Sequence, residues 1–197
     1  MTLKELLVPT YVQMLQALAA WLRKAQAERP GAGADALLSA RLAPDMFPLS
    51  TQVRFACVQA QEGMYRLDGT EFPQSLQELL DEGRNAGEHP GSIATALARI
   101  DETIVLVTGL APKPDDRNES RPIAHALPAG MVFDLTAAQF ARDWALPQFY
   151  FHVMTAYAIL RSQGIGLGKV DYVAHMLGYL RPETTGHPAQ VARDSQG

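Results

Sequence analysis

One histidine sits early in the most apolar long tract of the chain, LPQFYFHVMTAYAILR from Leu146 to Arg161. A polar ring in such a setting has to be hydrogen-bonded or liganded. His152 therefore either bonds a backbone carbonyl or a neighbouring side chain, or acts as one ligand or one acid/base group at the floor of a pocket between helices. A transition-metal site needs two or three further ligands converging on the ring. Helical neighbours of His152 at three and four residues include Phe149, Thr155 and Ala156, none of them ionisable. The other histidines offer no matching spacing: His89 and His187 precede prolines, His125 falls in a candidate hairpin, and His175 lies off the apolar stripe of a later segment. No metal site and no cofactor is expected.

Tyr150, Met154, Tyr157 and Arg161 share a second face of the same tract. A tyrosine hydroxyl and a guanidinium one turn apart can bind an anionic or carbonyl-bearing ligand. The plainer alternative is a buried tyrosine beside a helix-terminal arginine that pairs with a carboxylate such as Asp171. Asp45 and Gln52 carry the same ambiguity: Asp45 suits a helix cap, and Gln52 needs a partner if it faces inward. The candidate ligand-binding set is therefore His152, Tyr157, Arg161, Asp45 and Gln52.

Other patterns fall away on inspection. The run Gly164, Gly166, Gly168, Lys169 follows a helix rather than a strand, is too short for a phosphate loop and has Val170 where magnesium needs a hydroxyl. It reads as a turn joining two helices. Neither a GxSxG elbow nor a zincin motif is present. The carboxylate pairs Asp115-Asp116 and Asp81-Glu82 lie in segments that read as solvated, and Cys57 reads as a small buried hydrophobe.

The elements that must position these residues are mainly helical. Tyr11, Met14, Leu15, Leu18 and Leu22 lie on one helical face, in a helix that ends before Pro30. Met46, Leu49, Val53, Ala56, Ala60, Met64 and Leu67 repeat that spacing, with Asp45 as the expected cap and Pro48 in the opening turn. Residues 68–91 read as a long connection with a helical patch around Ser75 to Leu80, because glycines and prolines punctuate it. Ser92 caps a third helix carrying Ile93, Leu97, Ile100, Ile104 and Val107, which ends near Gly109. A polar loop at 111–121 precedes a hairpin, RPIAHAL, turn Pro128-Ala129-Gly130 and MVFDL. A short helix from Thr136 to Trp144 leads into the His152 helix, with Pro147 in its first turn, Arg161 near its end and Gly164 at its C′ position. Apolar almost all round, that helix is expected to be buried on several sides. A last helix, Lys169 to Leu180, is expected to pack Val173, Met176, Leu177 and Leu180, and the tail 182–197 to be loosely held.

Composition bounds the function classes. At 197 residues with 47% apolar and 19% charged residues, the chain fits one domain, 1–181, with its own core. A net charge of −4 and scattered basic residues argue against nucleic acid as partner. The apolar runs are far too short to span a bilayer, and the N-terminal stretch lacks the apolar core of a signal peptide, so no membrane partner and a cytoplasmic setting are expected.

Three segments, ARLAPDMFPLSTQV at 41–54, ARIDET at 98–103 and LPQFYFHVMTAYAILRSQGIGLGKVDY at 146–172, resemble an uncharacterised domain-of-unknown-function branch of the DinB-like superfamily, which includes metalloenzymes. The resemblance implies an all-α fold, an up-down-down-up four-helix bundle with a small β-hairpin inserted before the last bundle helix and a short C-terminal helix. It also implies a homodimer. Superfamily metalloenzymes, thiol-dependent transferases among them, use one histidine on the second helix and an HxxxH pair on the fourth. His152 matches one member of that pair, Ala156 stands where the other belongs, and the second helix has no histidine. The expectation is an uncharacterised bundle protein with a small-ligand pocket near His152 and no intact three-histidine site. The alternatives are a metal-dependent transferase or hydrolase of DinB type with a rearranged ligand set, and an interaction module that uses the hairpin.

Overall fold

A computed structural model describes residues 1–111, 119–127 and 130–181. Most of the expected 111–121 loop, the turn residues Pro128-Ala129 and the tail 182–197 with His187 lie outside the described residues. Four long helices build the bundle: α1 (Leu3–Glu28), α3 (Leu49–Asp68), α5 (Ile93–Gly109) and α7 (Leu146–Ser162). Shorter elements connect them: α2 (Ala32–Asp35), α4 (Gln74–Asn85), strands β1 (Pro122–Ala126) and β2 (Val132–Thr136), α6 (Ala137–Gln139) and α8 (Lys169–Tyr172). Packing runs through the pairs α3/α7, α1/α5, α3/α5 and α1/α7. Around the bundle the order is thus α1, α5, α3, α7, the neighbour pattern of an up-down-down-up bundle.

Helix α1 starts earlier than its apolar face suggests. Thr2 and Glu5 form a capping box, each side chain bonded to the other's backbone N–H. Pro9 therefore sits inside the helix and leaves the carbonyl of Glu5 without its usual donor. Helix α3 starts later than expected, with Pro48 at the N-cap and Asp45 exposed in the preceding turn. Asp45 is not its cap. A proline at that boundary starts a helix without a side-chain cap, because its fixed φ suits the turn and its missing N–H would be unpaired anyway.

The connection 68–91 holds a twelve-residue amphipathic helix, α4, twice the length of the expected patch. Gly83 hides it in the sequence but lies within it, for a packing reason: a Cβ there would sit 2.6 Å from the ring of Phe55. Leu76 and Leu79 face the core, and Glu82 bridges Arg54 of α3 and Arg99 of α5, each at 2.9 Å.

The hairpin pairs Ile123 with Leu135 and His125 with Phe133, and Ile123 and His125 face inward. After the Thr136 cap, the helix widens into a π segment, Phe140–Ala145, closed by a bond from the Leu146 N–H to the Ala141 carbonyl. Pro147 follows at once; its ring cannot fit a regular α-turn against the carbonyl four residues back, and the wider turn relieves that clash. Helix α7 is not buried all round: Phe151 and Met154 are 55% and 38% exposed. The C-terminal helix is also shorter than expected. Helix α8 gives way to a 3₁₀ turn over Ala174–Tyr179 that leaves Met176, Leu177 and Leu180 exposed, since i and i+3 eclipse there and no α-helical stripe forms.

Gly83→Ala gains helix propensity of up to about 1 kcal/mol but forces the Phe55 ring to move, an overpacking cost of about 1 to 3 kcal/mol. The expected outcome is a net loss of stability, read as a Tm several degrees lower in a thermal melt. An unchanged or raised Tm would show that Phe55 yields freely.

Candidate functional site

Helices α3 and α7 bring two of the sequence candidates together. His152 Nδ1 lies 2.8 Å from Oε1 of Gln52, and Gln52 Nε2 donates to the Phe47 carbonyl at 3.2 Å. The second bond fixes the amide's orientation, so Oε1 faces the ring; an amide oxygen only accepts, so the proton is on Nδ1 and the lone pair on Nε2. The ring is 8% exposed, with Phe55 and Phe151 edge-on at 5.3 Å each. Burial pushes the His152 pKa down to about 4, because nothing nearby compensates a buried imidazolium. The ring is thus hydrogen-bonded through Nδ1 to a neighbouring side chain.

The remaining candidates lie elsewhere. Tyr157 faces α1, where its ring meets Trp21 edge-on at 5.2 Å. Arg161 is exposed, nine residues and about 13 Å along the helix axis from His152. Asp171 pairs with Lys24 at 3.1 Å rather than with Arg161, and Asp45 is exposed. A helical period places residues on faces but does not say which faces meet, and only Gln52 and His152 do.

The glycine run behaves as a turn. Gly164 has a φ of +82°, which suits a helix C′ position. The Gly166 and Gly168 N–H groups donate to the chain's own carboxylates, Glu28 at 3.0 Å and Asp171 at 2.7 Å. Those donors are occupied from within.

A second polar cluster escaped the sequence reading. Near its C-terminal end α3 presents Glu62 and Arg66, one turn apart, beyond the apolar core. Arg121, just before β1, donates to the carbonyls of Arg66 and Leu67 at 2.7 and 2.8 Å and so caps the end of α3. That cap brings β1 over Glu62. His125 projects inward from β1, 2% exposed, with Nδ1 3.9 Å from Glu62, and its ring packs on Trp144 and Phe140 of the π segment at centroid distances of 4.3 and 5.5 Å. Arg66 lies 3.7 Å from Glu62 and stacks over Phe72 at 4.6 Å.

Glu62, Arg66, His125 and Trp144 line a cavity of about 410 Å³, walled also by Phe47, Phe55, Phe72, Leu76 and Leu80. The volume suits a small molecule. Arg66 Nε, both ring nitrogens of His125 and Trp144 Nε1 are buried without a hydrogen-bond partner among the described residues. Burial holds the Glu62 carboxyl above the usual range, against the pull of Arg66, and holds His125 below its usual value, helped by the Arg66 charge. His152 stands behind Phe55, next to this cavity rather than on its wall. The one sequence signal was the alternation of Ile123 and His125 with small residues, which puts both on one face of a strand.

A family model described as a domain of unknown function, DUF1993, matches residues 3–173. The chain belongs to this family. A crystal structure of a DinB family member protein from Shewanella denitrificans is 32% identical, with a TM-score of 0.68, covering 87% of this chain and 91% of that one. No curated protein matches the chain. The family and the bundle expected from the three sequence segments are therefore those observed.

The three-histidine metal set of DinB-like enzymes does not fit these residues. Gln52 is the residue that α3 offers to His152, it occupies Nδ1, and Ala156 one turn along α7 is a buried methyl. Among the described residues no group of three or more His, Cys, Asp or Glu side chains converges.

The low pKa of His152 has a pH consequence. Above pH 6.5 the ring is neutral in both folded and unfolded chains; as pH falls from 6.5 towards about 4 only the unfolded chain takes up the proton, so stability is lost with falling pH. At about 1.4 kcal/mol per unit, this window is worth about 3 kcal/mol. Denaturant titrations from pH 7 to 4 are expected to show this decline in the parent and a flatter one in His152→Ala. That variant also loses about 1 to 3 kcal/mol at pH 7, because Gln52 Oε1 loses its donor. Parallel pH curves for the two proteins would refute the assignment.

Proposed function

We propose that this protein is a small-ligand-binding bundle that works as a cytoplasmic homodimer, its ligand seated in the cavity between α3, α4 and the hairpin beside His152. The observation that carries the reading is that cavity itself, about 410 Å³, walled by Phe47, Phe55, Phe72, Leu76 and Leu80 with Glu62, Arg66 and His125 among its lining residues. Small-molecule sites are typically concave and mostly apolar, with a few polar groups that fix orientation. His152 and Gln52 support the cavity from behind: their bond holds the ring edge-on to Phe55, which forms part of the wall. No helix among the described residues is long and apolar enough to cross a membrane, and the chain's one cysteine, Cys57, is buried, in keeping with a reducing compartment.

The homodimer is supported by the apolar side that α7 turns to solvent, where Phe151 and Met154 are exposed on a bundle helix. Apolar groups of that size on one helical face suit a self-complementary contact. Light scattering after size exclusion is expected to give twice the chain mass for the parent and a shift to monomer for Phe151→Glu. A monomeric parent at high micromolar concentration overturns the dimer.

The alternative, a metal-dependent transferase or hydrolase with rearranged ligands, has the Nε2 lone pair of His152 as its single donor in place. Protein purified without a histidine tag is expected to carry zinc and nickel well below stoichiometry. Stoichiometric metal that disappears in His152→Ala would replace the ligand-binding reading with this one.

A further inference from the structure

We propose that the free edge of β1 takes up a short peptide as a third, antiparallel strand, its alternate apolar side chains turned onto α3 and its C-terminal carboxylate at the Arg121 end. The inference rests on the cavity being a ligand site, as proposed above, and names the class of ligand.

The free edge follows from the hairpin's own bonds. The Leu127 N–H donates to the Met131 carbonyl and the Ala137 N–H to the Arg121 carbonyl, each at 2.8 Å, on either side of a register that pairs Ile123 with Leu135 and His125 with Phe133. In an antiparallel ladder hydrogen-bonded pairs alternate with non-bonded ones. Arg121, Ile123, His125 and Leu127 therefore turn their backbone groups to β2, and Pro122, Ala124 and Ala126 turn theirs away. Those three are exposed, no other strand lies beside β1, and among the described residues none of them has a backbone partner on that side. An uncovered strand edge is a template for another strand.

That edge lies in a groove. A second cavity, of about 370 Å³, is lined by Gly69, Thr70, Arg121 and residues 122–124. The cavity of about 410 Å³ continues along residues 125–127, and Arg66 and Phe72 line both. One face of a strand offers only alternate residues. Here consecutive residues line the cavities, so these run along the edge of β1. Beneath them α3 contributes Phe55, Gln59, Glu62 and Arg66, one per turn, and α4 contributes Leu76 and Leu80. From Phe55 to Arg66 a helix rises about 17 Å, and residues 122–127 span about 17 Å when extended. The groove is as long as five extended residues.

The lining selects the occupant. Ala124 and Ala126 each offer a donor and an acceptor, two residues apart, which an extended peptide backbone complements. Ile123 and His125 face inward, so the side chains of an added strand that fall on their side meet Phe55, Phe72, Leu76 and Leu80. Charge gives the direction. Arg66 faces Glu62 at 3.7 Å and Arg84 pairs with Asp81 at 3.2 Å, whereas Arg121 has carbonyl partners and, among the described residues, no ion pair. Glu71 in the same lining is exposed and pairs with neither arginine. The unmatched charge of Arg121 stands where β1 begins, and it complements a terminal carboxylate. A peptide that ends there runs antiparallel to β1.

Three probes are titrated into the full-length protein, with heteronuclear NMR and amide exchange as readout. They are acetyl-Thr-Phe-Thr-Leu-Thr with a free carboxyl end, its isomer acetyl-Thr-Thr-Phe-Leu-Thr, and p-cresol as a non-peptide probe of the apolar walls. Without peptide, the Ala124 and Ala126 N–H groups are expected to exchange fast beside slow Ile123 and His125. The alternating peptide is expected to slow both at least about tenfold and to bind at least about fivefold more tightly than its isomer. Amidation of its C-terminus is expected to weaken it about threefold. Ala124→Pro is expected to weaken it at least about tenfold with Tm unchanged, because the lost N–H faces away from β2. Should that variant not fold, methylation of successive peptide amides decides: only alternate methyl groups are expected to weaken binding.

Slow exchange at Ala124 and Ala126 before any peptide is added means that the edge is already filled, by a second copy or by residues 182–197, and overturns the proposal. Binding without protection of these amides, or equal binding of the isomer, overturns strand addition, and equal binding of the amidated peptide overturns its direction. If p-cresol shifts the Phe55 and Phe72 resonances while neither peptide binds, the peptide falls and the ligand cavity stands. Absence of binding by all three at millimolar concentration overturns both.

Discussion

Helix α3 is buried along most of its length although its sequence is far from apolar, and the arrangement of the molecule follows from how its polar groups are satisfied. Ser50, Gln52, Arg54 and Gln61 are all buried. Each finds its partner on a different element: the Ala86 carbonyl after α4, His152 on α7, Glu82 on α4 and Thr103 on α5. Leaving one such group unpaired costs about 1 to 3 kcal/mol, and more for a charge. A shift of any neighbouring helix by one turn would break at least one of these bonds. Arg54 is the most demanding member, because a guanidinium that is 2% exposed has to keep its carboxylate. By sharing Glu82 with Arg99, it ties α3, α4 and α5 into one unit.

The cavity lies where this internal pairing runs out. Immediately after Gln61, Glu62 and, one turn further, Arg66 line the cavity with hairpin residues instead of meeting another bundle helix. Arg121 caps α3 and sets β1 in place, while the π segment before Pro147 turns Phe140 and Trp144 onto His125. Three irregular features, a helix C-terminus, a hairpin and a widened turn, thus meet in one place. Regular helix packing would have filled that space with interlocking side chains.

The contrast with DinB-like metalloenzymes rests on one bond. His152 stands on the helix that carries the paired histidines in such enzymes, but its Nδ1 is committed to Gln52, and the next turn offers only the methyl of Ala156. A ring held neutral by burial and locked by an amide is a packing element with one free lone pair.

Much of the fold was legible in the residues. Apolar spacing marked α1, α3 and α5, Ser92 marked the start of α5 and Gly164 the end of α7, and the turn residues between RPIAHAL and MVFDL marked the hairpin, because these signals depend on residues within a turn or two of one another. What was misread has local causes as well: Gly83 looks like a breaker until the Phe55 ring is seen against it, and Pro9 conceals the opening turns of α1. Of the site, the sequence determined that His152 and Gln52 each needed a partner. That they are each other's partner, across 100 residues, was decided by the docking of α3 on α7. The cluster of Glu62, Arg66, His125 and Trp144 was decided by tertiary structure alone. A periodic pattern records which residues share a face of one element, and the meeting of faces is set by how several elements satisfy their buried polar groups together.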